Sequence, residues 1–343
     1  MNLLAVHVPW GLALGIKTLI VLIVVPTGAL LLGYVFLLKM MSHMQSRLGP
    51  MEAGPHGSLQ LVADGLKFLQ KEDVILAEAD RPVFKLAPAV VVLSTFLIFA
   101  VIPVGPGPGG VVANLDVGVF YALAVSSLSV IGVLMAGWAS ANKYALLGAL
   151  RAAAQLIAYE LPLLLAVVGV VLQAGTMNLQ SIVLAQQNGA IFGWDFLGNP
   201  YILTQFIGFA LFMVAAQAEL TQTPFDMPVA ESELVAGYMV EYTGFRFLFF
   251  FIGEFGTATA FAALAATLFL GGYALPWFHG SAATLLGPFV LIAKMMLVAF
   301  FIFWVRFTYP RLREDQLQSL AWKVLIPLAL LNIVLTGVFK VIV

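Results

Sequence analysis

Six carboxylates fall within Gln217–Glu254: Glu219, Asp226, Glu231, Glu233, Glu241 and Glu254. Arg246 is the only basic residue among them. The runs on either side are strongly apolar, and carboxylates next to hydrocarbon mark function by default. The chemistry they could do is proton exchange. Like charges at short range cannot all ionise, so some of these acids should titrate nearer neutrality. Two more groups share this character. Glu160, in IAYELP, lies well inside another apolar run, and Pro162 behind it leaves a carbonyl one turn earlier without its donor. Lys294, in VLIAKMMLVAF, is the one deep lysine. It reads as a counter-ion to an acid such as Glu254, or as a cation that changes protonation with the acids. The plainer alternatives are a Glu160 satisfied by a hydroxyl or by Arg151, and a solvated acidic loop.

The stretch has internal grammar. Pro224 and Pro228 bracket PFDMP, which cannot continue a straight helix and predicts a short re-entrant or interfacial turn. The residues after Pro228 can be helical. Glu233 and Glu241, eight apart, would then share a face and form a line into the membrane, with Glu231 turned to a second surface.

These groups need elements to hold them. Of 343 residues, 62% are hydrophobic and 10% charged, and the mean hydropathy is +1.03. That predicts an all-α polytopic membrane protein, one membrane domain over residues 1–343. Eight spans are expected, near Leu12–Leu38, Val83–Val104, Val117–Trp138, Ala152–Leu172, Tyr201–Leu220, Phe247–Tyr273, Leu285–Val305 and Ala321–Val343. The first reads as a retained span, since no signal-peptide pattern precedes it. In the connection 40–82, Leu59, Val62, Leu66 and Leu69 recur at helical spacing, with Ser58 as N-cap. This is an amphipathic helix suited to the membrane surface. The net charge of −1 excludes nucleic-acid binding by bulk charge. The absence of cysteine excludes disulfides and a thiolate-ligated iron–sulfur cluster. The four histidines are too scattered to face one another as haem ligands.

Charge sets the sidedness. The connections Lys39–Lys85, Ala139–Arg151, Thr221–Arg246 and Arg306–Lys323 hold 13 of the 16 Lys and Arg; the opposite connections hold none. The positive-inside rule then puts the acidic segment 217–246 and the 40–82 connection in the cytoplasm, with both termini outside.

At these residues the chain resembles the H subunits of the proton-pumping NADH-quinone oxidoreductases, the respiratory complex I family. The motifs are MQSRLGP with GPHGSLQLVADGLK (Met44–Lys67), GWASANKYALLGALRAAAQLIAYE (Gly137–Glu160), PFDMPVAESELVAGYMVEY (Pro224–Tyr242) and YPRLREDQL (Tyr309–Leu317). They run over nearly the whole chain. The resemblance implies about eight transmembrane helices in a bacterial cytoplasmic membrane. It implies quinone as substrate, with no catalytic residue, metal or iron–sulfur cluster in this chain. The implied partners are the iron–sulfur subunits of a peripheral arm, small and antiporter-like membrane subunits, and membrane lipid. A quinone cavity would draw on Arg47, Asp64, Lys67, Glu72, Phe225, Asp226 and Glu231. A proton relay would draw on Glu160, Glu219, Glu233, Glu241 and Glu254, with Lys294 and Arg151; Arg306 and Arg311 also match basic positions. The chain departs from the family at Leu37, Leu38 and Lys39, where many members have Glu-Arg-Lys. It departs again at Gln222, where many have arginine, and at Val229, where many have an acid. Homologous subunits of ferredoxin-, F420H2- or hydrogen-linked complexes remain alternatives, as does a stand-alone proton-coupled transporter. The lack of inverted repeats weighs against the last.

Overall fold

The structure, a computed structural model, describes residues 10–189, 198–277 and 280–342. His7 and His279 lie outside them, as does the side chain of Glu231. Among the described residues the regular elements are all helical. Seven helices are long and apolar enough to cross a membrane, and an eighth apolar helix, Phe206–Glu219, is shorter.

The order is α1 (Trp10–Leu32), continued by a π-helical stretch Gly33–Met40 and a last turn Met41–Met44; α2 (Gln60–Gln70); α3 (Arg81–Ile98); α4 (Gly118–Ser126) and α5 (Leu128–Ala139); α6 (Lys143–Ala174); α7 (Leu179–Asn188); α8 (Tyr201–Thr204) and α9 (Phe206–Glu219); α10 (Glu231–Leu234); α11 (Gly244–Phe269); α12 (Ser281–Thr308); α13 (Glu314–Leu320), then a π-helical turn Ala321–Leu325 into α14 (Ile326–Ile342).

Two helices form the centre. α11 packs on α1, α3 and α12, and α6 packs on α5, α9 and α14. From Ala258 to Ala266 every residue of α11 is buried, and six of them are alanine. Small side chains let helix backbones approach, which is how helices associate without a hydrophobic drive in lipid. Leu19, Leu285, Phe289 and Val334 stay exposed, as side chains meant for hydrocarbon do.

The boundaries depart from the sequence expectation where polar chemistry intervenes. Asn142 caps α6, its side chain accepting from the Tyr144 amide, so Lys143–Arg151 is helix rather than loop. The helix has 32 residues, about 48 Å at 1.5 Å each, against about 30 Å of hydrocarbon. It therefore carries Arg151 at its protruding end and Glu160 at depth. The expected span Tyr201–Leu220 is broken at Gln205, which is 3% exposed. The Gln205 amide donates to Thr336 Oγ1 (2.8 Å) and accepts from Asn332 Nδ2 (3.0 Å). α3 stops at Ile98, short of Val104, ahead of a proline- and glycine-rich run. α2 has Leu59, not Ser58, at its N-cap, without a side-chain cap. Its apolar row Leu59, Val62, Leu66 and Leu69 stays exposed, while Phe68 packs at a tilt against Phe247.

The connections gather at two ends. At one, Arg246 pairs with Asp73, Asn142 with Glu241, and the Leu312 amide with the Pro224 carbonyl. At the other, Asn178 bonds Asn114, and Gln180 donates to the Gly107 carbonyl. The three lysines outside the basic connections, Lys17, Lys294 and Lys340, each donate to a backbone carbonyl: Val111, Ala274 and Leu172.

Candidate functional site

The segment between α9 and α11 is the irregular part of the basic end. It opens with Thr221 at φ 50°, runs through the proline-bracketed turn, and enters α10 from Ala230 at φ 38°. Val235 at φ 66° ends α10 after one turn, and Gly237 at φ 55° begins a 3-10 turn to Met239. The segment is pressed onto α6. A Cβ at Gly237 would lie 1.8 Å from the Pro228 carbonyl oxygen, and one at Gly148 of α6 would lie 2.8 Å from Gly237 Cα. The turn at PFDMP is as expected. The continuous helix after Pro228 is not, and with it goes the shared face of Glu233 and Glu241. Left-handed backbone at Ala230 and Val235 interrupts any helix there.

Two arginines hold Glu233. Arg151 NH1 of α6 lies 2.6 Å from Oε2, and Arg311 NH1 lies 3.2 Å from Oε1. The hydrogen bond from Arg151, and then the charge of Arg311, keep this carboxyl below the usual glutamate range. Glu233 is thus not among the acids pushed toward neutrality by their neighbours. Its place is in a cleft of about 710 Å³, with Met227, Leu312, Glu314 and Gln318 also in the lining.

Asp226 behaves the other way. Burial raises its pKa above the ordinary aspartate value, despite the opposing charge of Arg311 and a hydrogen bond from the Ala230 amide. The charges of Glu254 and Arg306 also bear on it. Burial likewise raises the Tyr238 phenol, with the charges of Glu254 and Asp226 adding to it. Phe225, beside Asp226, is buried and packs on the ring of Tyr159, centroids 5.2 Å apart. Tyr159 in turn donates to the Leu317 carbonyl (3.0 Å), docking α13 on α6.

A second polar group lies where α9, α11 and α12 meet. Gln222, 3% exposed, donates from Nε2 to Glu254 Oε1 (2.6 Å), and its Oε1 accepts from Arg306 NH1. The direct Arg306–Glu254 separation is longer, 3.5 Å. Glu219 ends α9, 8% exposed, with Oε2 lacking a partner among the described residues. The charge of Glu160 on α6 reaches it. Glu160 has the Ser127 hydroxyl beside it, the first of the plainer alternatives, while Arg151 is engaged with Glu233.

The remaining expected residues fall elsewhere. Glu241 accepts from Asn142 Nδ2 (2.5 Å), tying the segment to the cap of α6. Arg47 is exposed and bonds Gln45. Asp64 pairs with Lys67 one turn along α2, and the Glu72 carbonyl accepts from Thr243 Oγ1. None of Arg47, Asp64, Lys67, Glu72, Phe225 or Asp226 lines the 710 Å³ cleft. Lys294 is no counter-ion here: its ammonium lies 2.8 Å from the Ala274 carbonyl, past the far end of α11 from the acidic segment. A lysine stem is long enough to carry its charge toward a connection rather than leave it among apolar neighbours. Chemistry-bearing residues that sequence reasoning missed include Tyr238, Asn142 and Gln155, whose amide donates to the Ala218 carbonyl beside Glu219. Asn142 was legible as an N-cap before an alanine- and leucine-rich run. The other two gave no sequence signal.

With this geometry in hand, comparison with known proteins is decisive. The family described as NADH dehydrogenase matches residues 16–337. The chain belongs to this family. It is 47% identical to the NADH-quinone oxidoreductase H subunit of Brevibacillus brevis over 340 residues, 98% of this chain and 97% of that protein. It is 48% identical to the H subunit of Geobacillus kaustophilus over 303 residues, covering 88% and 86% of the two chains. The H subunit of Thermomicrobium roseum is 46% identical over 316 residues, 88% and 89% of the two.

Proposed function

We propose that this chain is a membrane subunit of a proton-translocating NADH-quinone oxidoreductase, in which it walls part of a quinone site and passes the charge change of quinone reduction to buried carboxylates. The observation that carries the reading is the grading of ionisable groups inward from the basic end. Glu233 is clamped between Arg151 and Arg311 at the surface cleft. Asp226 is half-buried, within reach of the Arg311, Arg306 and Glu254 charges. Glu219 and Glu160 follow at depth. A change of charge near Arg311 or Asp226 alters the field felt by Glu254, and Glu160 and Glu219 act on each other in the same way, so protonation can be passed along without a redox group in this chain.

The basic end faces the cytoplasm in this reading, both termini lie outside, and the membrane is the bacterial cytoplasmic membrane. Partners complete the quinone site. The Arg47, Asp64, Lys67 and Glu72 side supplies one wall, the Phe225–Asp226 turn another, and iron–sulfur subunits of a peripheral arm close it. Small and antiporter-like membrane subunits extend the path laterally, and the exposed row on α2 meets lipid or a partner.

The test is a photoreactive quinone analogue on the purified complex. Labelling of this chain within 221–242 or 40–80, competed by quinone, supports the reading. Labelling confined to other subunits, with wild-type pumping in assembled Glu219→Gln and Glu254→Gln enzymes, refutes it.

A further inference from the structure

The Gln222 amide sits where a direct ion pair would otherwise form. Its orientation is dictated by its neighbours. Nε2 faces two acceptors, the Leu220 carbonyl at 3.2 Å and Glu254 Oε1 at 2.6 Å. Oε1 faces the Arg306 guanidinium. Turning the amide over would set NH₂ against a cation and a carbonyl against a carboxylate, so one orientation alone satisfies every partner. The side chain is 3% exposed and its backbone is pinned. The Gln222 amide donates to the Gln217 carbonyl (3.2 Å), and its carbonyl accepts from Phe225 (2.8 Å).

We propose that Gln222 is a positioning residue for quinone-linked proton coupling: its amide, wedged between Arg306 and Glu254, keeps the guanidinium from closing on the carboxylate and leaves Glu254 free to exchange a proton. This rests on the functional reading above. An arginine in direct contact with a carboxylate makes paired charge-assisted hydrogen bonds and fixes it in the ionised form. Here the carboxylate instead takes its short hydrogen bond from a neutral donor, with the guanidinium 3.5 Å away. Arg306 makes its nearer contact with the amide oxygen. The arginine's nearer hydrogen bond thus goes to the amide, and its contact with Glu254 is the long one, 3.5 Å.

The groups bearing on this site come from every element around it. Arg306 lies on α12, Asp226 and Tyr238 on the segment before α11, and Arg311 just beyond α12. Glu219 closes α9 three residues before Gln222. The faces that α1 and α3 turn to this part of α11 carry Val25, Val91 and Thr95, none of which titrates.

The test uses the assembled enzyme in inside-out membrane vesicles, with Gln222→Met and Gln222→Glu. Methionine keeps the unbranched length and removes the amide. Glutamate still accepts from Arg306, but donates to Glu254 only while a proton is shared. NADH oxidation by ferricyanide reports assembly. NADH-driven reduction of a short-chain quinone, measured from about pH 5.5 to about pH 9, reports coupling. Both variants are expected to lose about tenfold in quinone reduction near neutral pH; Gln222→Met should move the rate optimum acidward by about one unit, and Gln222→Glu, which sets a second carboxylate against Glu254, should move it alkalineward. If Gln222→Met does not assemble, Gln222→Glu carries the test. Assembled variants with the wild-type rate and profile overturn the proposal. So does a lower rate with an unmoved profile, which makes the amide a mere packing element. Glu254→Gln, run in parallel, separates the failures. A silent Glu254→Gln sinks the role of this acid itself, whereas an impaired Glu254→Gln beside silent Gln222 variants sinks the positioning role alone.

Discussion

A methyl group at position 237 has nowhere to go. Gly237 sits at φ 55°, where a Cβ costs about 1–2 kcal/mol from its own carbonyl alone. That Cβ would also lie 1.8 Å from the Pro228 carbonyl oxygen and 2.8 Å from its carbon. Ordinary contact begins at 3.4 Å, so the loop must open by about 1.6 Å, and because the obstacle is backbone no rotamer relieves it. The same contact can be pushed from the other side. A Cβ at Gly148 of α6 meets the Tyr238 amide nitrogen at 2.8 Å and the Pro228 oxygen at 2.9 Å, a displacement of about half an ångström. This loop carries Asp226, Glu233 and Tyr238. A misplacement of about 1 Å can lower a rate about 10²-fold, so Gly237→Ala should cut quinone reduction by about that factor and Gly148→Ala by about tenfold. Gly337 of α14, with open space where its Cβ would lie, is the control, and Gly337→Ala should be silent. The assay is quinone reduction in membranes, scaled to assembled enzyme. A Gly237→Ala enzyme that assembles and turns over like wild type would falsify the claim that the seat of this loop on α6 is required.

Asn142→Ala removes both the α6 cap and the partner of Glu241, and should lower the thermal stability of the solubilised complex by about 1 kcal/mol. No change in a melting curve would show the cap to be idle. Glu233 has its pKa lowered, so its pairing adds stability above the ordinary glutamate value and loses it as pH falls through the folded one. The gap in melting temperature between wild type and Glu233→Gln should stay constant from about pH 8 to about pH 6, correspond to no more than about 1 kcal/mol for so exposed a pair, and close only in acid. A gap that widens in acid contradicts the clamp. Asp226 has its pKa raised, so the opposite sign holds: its protonated form is favoured at low pH, and that stability is lost as pH rises. Asp226→Asn should therefore gain on wild type as pH increases, and a melting series showing it losing ground would count against burial as the dominant effect.

Much of the frame was legible in the chain because lipid leaves few choices. Long apolar runs must be helices, and their ends betray themselves by lysine and arginine. What was not legible depended on one polar side chain meeting another from a distant helix. Gln205 breaks its helix because Asn332 and Thr336 meet its amide there, and nothing in YILTQFIGFALF announces those partners. Lys143–Arg151 looked like a loop since it carries charge, yet a helix that outruns the membrane needs charge on its protruding turns. Lys294 looked like a buried counter-ion because depth in a sequence window says nothing of where a flexible stem carries its ammonium.

The acids illustrate the same limit more sharply. Their number and clustering were plain, and so was the break at the two prolines. Their roles were not, because a spacing argument assumes one continuous helix, and the backbone at Ala230 and Val235 does not supply one. Three carboxylates of one short stretch consequently have three different partners. Glu233 has two arginines, Asp226 has burial and a backbone amide, and Glu241 has an asparagine cap. Acids that all had arginines would stay ionised and could pass nothing on. Acids that all lacked them would be too costly to keep charged in a largely apolar chain. The arrangement found lies between these extremes: Glu233 has two arginines at the cleft, Glu254 shares Arg306 with the Gln222 amide, and Glu219 has no arginine partner among the described residues.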